Sequence, residues 1–208
     1  MVLFKIDNVD SNSYSISLQD PFLEHFLSLF SIKYKTQDQS TIITAKSVGL
    51  LSDFLLKFND GLITYDYAYG FSQNIVQQLL YLEKQSKTIH AFSIDDFLVI
   101  DESFLIFVNF SKIHTIKNNN IIIHSPYHKN NSTFFITQEM KNNNSLPLTL
   151  SYKNIYVSLA FLILYLLYGK YYFEFENNQK LINNLQGTKL YYFLQNCINN
   201  DNSSICFF

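Results

Sequence analysis

Two groups of side chains in this sequence have the chemistry that catalysis or metal binding needs. Asp95 and Asp96 are paired carboxylates, but adjacent side chains point apart in a strand or loop, which favours a turn or helix-cap role. His114, His124 and His128 are spaced ten and four residues apart and approach a metal-binding pattern. No acidic or thiol ligand accompanies them, so surface histidines are favoured and no metal site is predicted.

Several other kinds of site are excluded by composition. Cys197 and Cys206 have no CxxC spacing and no matching histidine pair, which excludes a zinc module or a disulfide scaffold. All 15 basic residues are lysines, so no guanidinium is available for bidentate binding of phosphate or carboxylate. With 17 acidic residues and a pI near 6.2, the chain has no electrostatic footprint for nucleic acid, and none is predicted to bind.

The first half of the chain predicts alternating helices and strands. The segment Asp20–Phe30 begins with an N-cap Asp and a Pro, and its apolar residues follow helical spacing at Phe22, Phe26, Leu29 and Phe30. Ser31–Gln37 and Thr41–Ala45 favour two strands joined by a tight turn. Gly49–Phe58 and Phe71–Lys84 return to helical periodicity, the second with an apolar face of Ile75, Leu79, Leu80 and Leu82.

The second half predicts a hairpin and a buried helix. Phe97–Ile100 and Phe104–Val108 are apolar runs that flank a polar turn. Ile155–Tyr168 is uncharged for 14 residues, whereas a membrane span needs about 20, so an enclosed core helix is predicted. A single membrane span over residues 152–173 is the alternative. Leu181–Asn200 predicts one or two final helices, and the whole pattern favours a single α+β domain.

The order of these elements resembles that of a eukaryotic-type protein kinase. Thr41–Leu55 resembles the last N-lobe strand, the hinge and the first C-lobe helix, and Leu79–His90 resembles the helix that leads into the catalytic loop. His90 stands on the His of the H-R-D-L-x-x-x-N motif. Tyr156–Tyr168 resembles the buried helix at the centre of the C-lobe. The resemblance covers the chain from about Phe22 onward. It depends on the order and spacing of the motifs more than on identical residues.

The resemblance implies that the catalytic positions have lost their chemistry. Phe92 stands where the catalytic Asp accepts the substrate proton, and Phe97 stands where an Asn holds magnesium. Asn109-Phe110-Ser111 occupies the D-F-G position, where Asn offers a neutral oxygen instead of a carboxylate. Phosphotransfer is therefore not expected.

Other landmarks of the resemblance are equally degenerate. Thr137-Gln138-Glu139 resembles A-P-E, and Cys197–Ile205 resembles the kinase ending, with Ile205 where an Arg would pair with Glu139. Lys5 occupies the position of the strand lysine that binds nucleotide in the resemblance, and Glu24 occupies the position of its partner on the helix. The favoured interpretation is nevertheless two separate surface charges. No glycine precedes Gly49, so a Gly-rich phosphate loop is absent from this sequence.

The predicted fold class is α+β and protein-kinase-like, with a shortened β-containing N-lobe over residues 1–46 and a mainly α-helical C-lobe over residues 47–208. The predicted function is that of a pseudokinase that acts through protein–protein interaction without a cofactor. An exposed contact patch is predicted at Tyr171, Tyr172, Phe173 and Phe175, unless these residues pack under the final helices. The composition indicates an AT-rich genome, viral or protist, and no targeting signal opens the chain, which predicts a cytoplasmic location, in the host if viral.

Overall fold

The computed structural model describes residues 4–127, 134–143, 145–171 and 175–199. Strands and helices are mixed in these ranges, which confirms the α+β prediction. The strands are β1 Ile6–Asp10, β2 Ser13–Ile16, β3 Lys33–Gln37, β4 Ser40–Thr44, β5 Val48–Leu50, β6 Lys87–Ile89, β7 Phe92–Ser93, β8 Phe97–Ile100, β9 Phe104–Phe107, β10 Ile113–Thr115, β11 Asn120–Ile123, β12 Phe134–Phe135 and β13 Leu148–Ser151. The α-helices are α1 Pro21–Leu29, α2 Leu51–Leu55, α3 Tyr65–Lys84, α4 Gln138–Asn142, α5 Asn154–Tyr168, α6 Phe175–Asn183 and α7 Lys189–Asn199.

The N-terminal part is a four-stranded antiparallel sheet with the order β1-β2-β4-β3. The predicted tight turn joins β3 to β4, where Asp38 and Gln39 both have positive φ angles of 48° and 64°. The inward face of the sheet includes Ile16 and Ile43, which are completely buried. This alternation of buried and exposed residues fixes the register of the strands.

Helix α1 connects β2 to β3, and its cap forms as predicted. The Asp20 carboxylate accepts a hydrogen bond from the Phe22 amide at 2.8 Å, and Pro21 occupies the first turn. The predicted apolar face is only partly correct. The helix buries Leu23, Phe26 and Leu27 against β9 and α3, whereas Leu29 is exposed.

The second sheet has the order β5-β8-β9, and it contains the predicted hairpin of β8 and β9. Gly49 was expected to start a helix, but it lies in β5 and pairs with Val99, so helix α2 begins only at Leu51. Helix α3 covers the outer edge of β9. It starts at Tyr65, six residues before its predicted start, and Leu80, expected on its buried face, is 38% exposed.

The amide side chains of α3 bind the free edge of β9 directly. The Gln78 Nε2 atom donates to the Leu105 carbonyl at 2.8 Å, and the Gln78 Oε1 atom accepts from the Phe107 amide at 2.9 Å. The Asn74 Oδ1 atom accepts from the Leu105 amide at 2.9 Å. The main-chain groups that an edge strand leaves unpaired are thereby satisfied inside the protein.

Helix α5 lies at the centre of the hydrophobic core, as predicted. Its residues from Leu159 to Leu164 are all buried, and it ends at Gly169, whose φ of 68° suits glycine. Because α3, α6 and α7 all contact α5, it is enclosed by protein. Within the described ranges no helix combines the length and hydropathy that crossing a bilayer requires, so the single span over residues 152–173 is not supported.

The part of the chain after residue 47 was expected to be mainly helical, and short strands are interleaved with its helices. Strand β6 pairs with β10, β7 with β12 and β11 with β13, all antiparallel. The β11–β13 pair, β12 and α4 enclose a second hydrophobic cluster that includes Ile121, Met140 and Leu148. The main cluster runs from Phe4 to Cys197 and joins the N-terminal sheet to the helices.

Replacing Leu162 with Asp tests whether α5 is enclosed. The side chain is completely buried, so an unpaired carboxylate at this position should cost several kcal/mol and unfold a protein of ordinary stability. Thermal and urea unfolding, followed by circular dichroism, measure the loss. Leu56→Asp is the matched control because Leu56 is 83% exposed. A Leu162→Asp protein that melts as cooperatively as this control would contradict the central position of α5.

Candidate functional site

The catalytic-loop segment of the resemblance is organised around the carboxylate of Asp96. A 3-10 turn over Ile94–Asp96 connects β7 to β8, and Ser93 and Asp96 cap it reciprocally in a capping box. The cap role expected for the acidic pair is therefore confirmed for Asp96. Only 3% of the Asp96 side chain is exposed, so its oxygens depend on protein donors.

Three donors bind the Asp96 carboxylate. The Oδ2 atom accepts from the Lys112 Nζ atom at 2.5 Å and from the Ser93 amide at 2.6 Å, and the Oδ1 atom accepts from the Asn109 Nδ2 atom at 2.7 Å. Lys112 is 12% exposed, and its ammonium also lies 4.3 Å from the centre of the Phe134 ring. This ion pair ties together the turn before β8, the turn after β9 and strand β12.

Burial acts on both members of the ion pair. Loss of water raises the pKa of the Asp96 carboxyl, and the charge of Lys112 and the donors from Lys112, Asn109 and Ser93 oppose that rise. Burial likewise lowers the pKa of Lys112, and the Asp96 carboxylate opposes that change. Each charge therefore depends on the other for its stability inside the protein.

Phe92 and Phe97 lie in the hydrophobic core. Both side chains are completely buried, with their ring centres 5.3 Å apart. The Phe107 ring completes the group at 5.9 Å from Phe92 and 5.8 Å from Phe97. The two positions at which the resemblance expects a proton acceptor and a metal ligand thus supply packing and no polar atom.

Asn109 uses both ends of its amide within the protein. Its nitrogen donates to Asp96, and its oxygen accepts from the Ser111 hydroxyl at 2.6 Å. A carboxylate at this position would meet the Asp96 carboxylate, and the donation from position 109 would be lost. An amide is therefore the side chain that this network requires.

His90 is buried and binds a second histidine. Its Nδ1 atom lies 2.9 Å from the His114 Nε2 atom, and its amide donates to the Lys112 carbonyl. Burial, with smaller contributions from His114 and Lys112, lowers the pKa of His90 to about 3. Burial and the neighbouring His124 lower the pKa of His114. Both imidazoles are therefore neutral at pH 7, and one ring donates to the other.

Glu139 has a neutral partner in place of the arginine expected for its motif. The Asn154 Nδ2 atom donates to the Glu139 Oε2 atom at 2.9 Å, which connects α4 to the start of α5. The chain has no arginine, so the partner that the motif would require is absent, and this amide occupies the Glu139 carboxylate instead. Ile205 lies outside the described residues.

Lys5 and Glu24 do not form the ion pair that the resemblance requires. The Lys5 ammonium lies 2.7 Å from the Asp7 carboxylate, and both side chains are exposed. Among the described residues no salt bridge joins Lys5 to Glu24. The interpretation of two separate surface charges agrees with this geometry.

The described residues contain no group of three or more His, Cys, Asp or Glu side chains that could hold a metal ion. His114 binds His90, and His128 lies outside the described residues. Tyr171, expected in an exposed patch, stacks on Phe161 with ring centres 5.0 Å apart and donates to the Phe134 carbonyl. It therefore packs under its neighbours. Tyr172, Phe173 and the side chain of Phe175 lie outside the described residues.

The sequence analysis missed Lys112, the residue that compensates Asp96. The sequence gives only a weak indication of this role, because Lys112 lies three residues after Asn109 in a turn between apolar strands. Asp96 and Lys112 are 16 residues apart in sequence. Their contact depends on the pairing of β9 with β8, which no local sequence pattern predicts.

Removing Lys112 should be one of the most destabilising charge deletions in the chain. Lys112→Met leaves the Asp96 carboxylate buried without its counter-charge, and a loss of about 3–5 kcal/mol in the free energy of unfolding is expected. Adding Asp96→Asn to this variant should recover part of the loss. Lys57→Met is the control, because it breaks an exposed pair with Glu102 and should cost at most about 1 kcal/mol. Equal losses in urea unfolding for the two lysine variants would contradict the role of the buried pair.

The buried histidines predict a loss of stability in acid. The folded pKa of His90 lies below the ordinary value of 6.5, so the unfolded chain takes up a proton first as the pH falls. The contribution of neutral His90 to the free energy of unfolding is complete above about pH 6.5. It declines below that pH by up to about 1.4 kcal/mol per pH unit. His90→Gln should remove this contribution, whereas exposed His25→Gln should not. Because Asp96 and Glu83 have raised pKa values and act with the opposite sign, the measurement is the difference between wild type and variant from pH 7 to pH 5. A constant difference would contradict the assignment.

Comparison with known proteins gives no family for this chain. No family model matches the sequence, and no curated protein is significantly similar to it. Its function must be argued from its own residues, contacts and burial.

Proposed function

We propose that this chain is a catalytically inactive, protein-kinase-like protein that acts by binding another protein. The observation that carries the proposal is the burial of Phe92 and Phe97, the two positions at which the resemblance places the catalytic Asp and a magnesium ligand. Phosphoryl transfer is catalysed mainly by positioned charges and metal ions around the phosphate groups. Side chains that are completely buried and carry no polar atom cannot contribute to either.

The order of elements supports the kinase-like part of the proposal. Helix α1 lies between the second and third strands of a four-stranded antiparallel sheet in chain order. The short strand β5 and helix α2 follow this sheet, and the long helix α3 comes next. Strand β6, just before His90, pairs with β10, just after Asn109. The segments that carry the two degenerate motifs are thereby adjacent, which is consistent with the proposal.

The state of Asn109 supports the inactive part of the proposal. Its amide nitrogen faces the Asp96 carboxylate, and its oxygen accepts a hydrogen bond from Ser111. A divalent cation prefers several charged oxygen ligands, and here the nearest carboxylate is already bound by three donors. The polar residues of this region therefore stabilise the loop instead of holding a metal.

Protein binding is the function that remains open to such a chain. The packing groups are retained around α5, and apolar side chains stay exposed on the surface, with Leu56 83% and Tyr192 63% exposed. Exposed aromatic side chains often anchor protein interfaces. Tyr192 on α7 replaces Tyr171 as the described aromatic residue best placed to contact a partner.

One experiment tests both parts of the proposal. The purified protein and its Asn109→Ala variant are assayed for magnesium-dependent transfer of phosphate from labelled ATP, and both are used as baits in the native source. We expect background transfer from both proteins and the same co-purifying proteins on both baits. Circular dichroism must first establish that the variant is folded, since Asn109 binds Asp96.

The unfolded Leu162→Asp protein is the control bait, because it presents the same sequence without the surface. Phosphate transfer by wild type that disappears in Asn109→Ala would show an active enzyme and overturn the proposal. Proteins recovered equally well on the Leu162→Asp bait would overturn the binding function, because recognition would then not depend on the folded surface.

A further inference from the structure

A groove with polar and apolar walls lies beside the histidine pair and plays no part in the proposed function above. It has a volume of about 470 Å³, and its polar walls include His114, Lys117, Asn118, Asn120, His124 and Thr149, with the exposed Ile122 beside them. The lysine, the two amides and the hydroxyl each carry a hydrogen-bond donor, and each neutral imidazole carries one N–H. No acidic residue is among the lining residues that the structure describes.

The backbone holds this wall in a defined shape. Lys117 and Asn120 form a β-bridge around a two-residue turn, in which Asn118 and Asn119 have φ angles of 50° and 62°. Along β11 the side chains of Ile121 and Ile123 are buried. The alternation of the strand therefore presents Asn120, Ile122 and His124 on its outer face.

The histidine pair orients one wall of the groove. His90 is buried, and its Nδ1 atom lies 2.9 Å from the Nε2 atom of His114. This contact occupies Nε2 and leaves Nδ1 as the remaining ring nitrogen of His114. His90 is in this sense a positioning residue for His114 and does not itself line the groove.

The described lining of the groove includes one lysine and no acidic residue, although the chain as a whole carries −2. From Ser103 to Gln138 the sequence contains lysines and histidines and not one Asp or Glu. The buried Lys112 in this segment is neutralised by Asp96, whereas Lys117 is exposed at the groove. Burial and, to a lesser extent, the neighbouring His124 lower the pKa of His114, so this ring lines the groove in its neutral form at pH 7.

We propose that this groove binds a phosphate monoester. A phosphomonoester carries a charge near −2 and three acceptor oxygens, which match the lysine, imidazole, amide and hydroxyl groups that line the groove. A carboxylate has fewer oxygens and half the charge, and would leave several of these donors unpaired. The phosphate is carried by a phosphorylated side chain of another protein or by a free metabolite. The inference does not depend on the kinase-like interpretation, because it uses only the groove and its charges.

Isothermal titration calorimetry at low salt tests the inference with defined probes. These are inorganic phosphate, the peptide acetyl-Gly-phosphoserine-Gly-amide, and the same peptide without phosphate. We expect both phosphate probes to bind, and the Lys117→Gln, His124→Gln double variant to bind them at least about tenfold more weakly. Lys35→Gln is the matched control, because Lys35 is exposed on the distant strand β3 and should leave binding unchanged.

The outcomes separate the two sources of the phosphate. Tighter binding of the phosphopeptide than of inorganic phosphate identifies a phosphorylated protein as the ligand, and equal binding identifies a free phosphate ester. Binding of the unphosphorylated peptide with equal affinity would overturn the proposal. The absence of binding by wild type up to about 10 mM phosphate would also overturn it, as would unchanged affinity in the folded double variant. None of these three overturning results bears on phosphotransfer or on partner capture. The two proposals therefore fail independently.

Discussion

The buried carboxylate of Asp96 is the constraint on which the surrounding structure depends. A charged group that is 3% exposed is tolerated only when donors surround it, and here those donors come from three places in the chain. Ser93 fixes the preceding turn, Asn109 fixes the end of the β8–β9 hairpin, and Lys112 supplies the opposite charge. The requirement for these contacts explains why residue 109 is an amide.

The same region shows how aromatic packing and a polar network are combined in one loop. Phe92 and Phe97 pack on Phe107, so buried aromatic side chains flank the Asp96 turn on both sides in sequence. Burial of each phenyl ring stabilises the fold by about 2–3 kcal/mol, whereas a buried unpaired Asp at either position would cost several. The packing at these positions therefore excludes a charged side chain.

The two sheets and the helices are held together by both apolar and polar contacts. Helix α5 supplies the apolar centre, and Gln78 and Asn74 of α3 bind the edge of β9 through three hydrogen bonds. Without them the edge strand would leave buried amides and carbonyls unpaired, at roughly 1–3 kcal/mol for each group. The α3 amides thus fix the register of helix against sheet, which nonspecific apolar packing does not do.

The local elements followed from the sequence because their causes are local. The Asp20 cap, the Asp38–Gln39 turn, the β8–β9 hairpin and the buried helix α5 each depend on neighbouring residues. The apolar faces of α1 and α3 were only partly predicted, since the contacts with β9 decide which residues are buried.

Only the tertiary structure decided the partners of the polar groups. The Asp96–Lys112 and Glu139–Asn154 pairs and the two histidines in contact join residues 15 or more apart, and the groove joins the segment from His114 to His124 to Thr149. The sequence determined that residues 92, 97 and 109 carry phenyl and amide groups. It did not determine which residues those groups contact, because such contacts depend on how β6, β8 and β10 are brought together by the core.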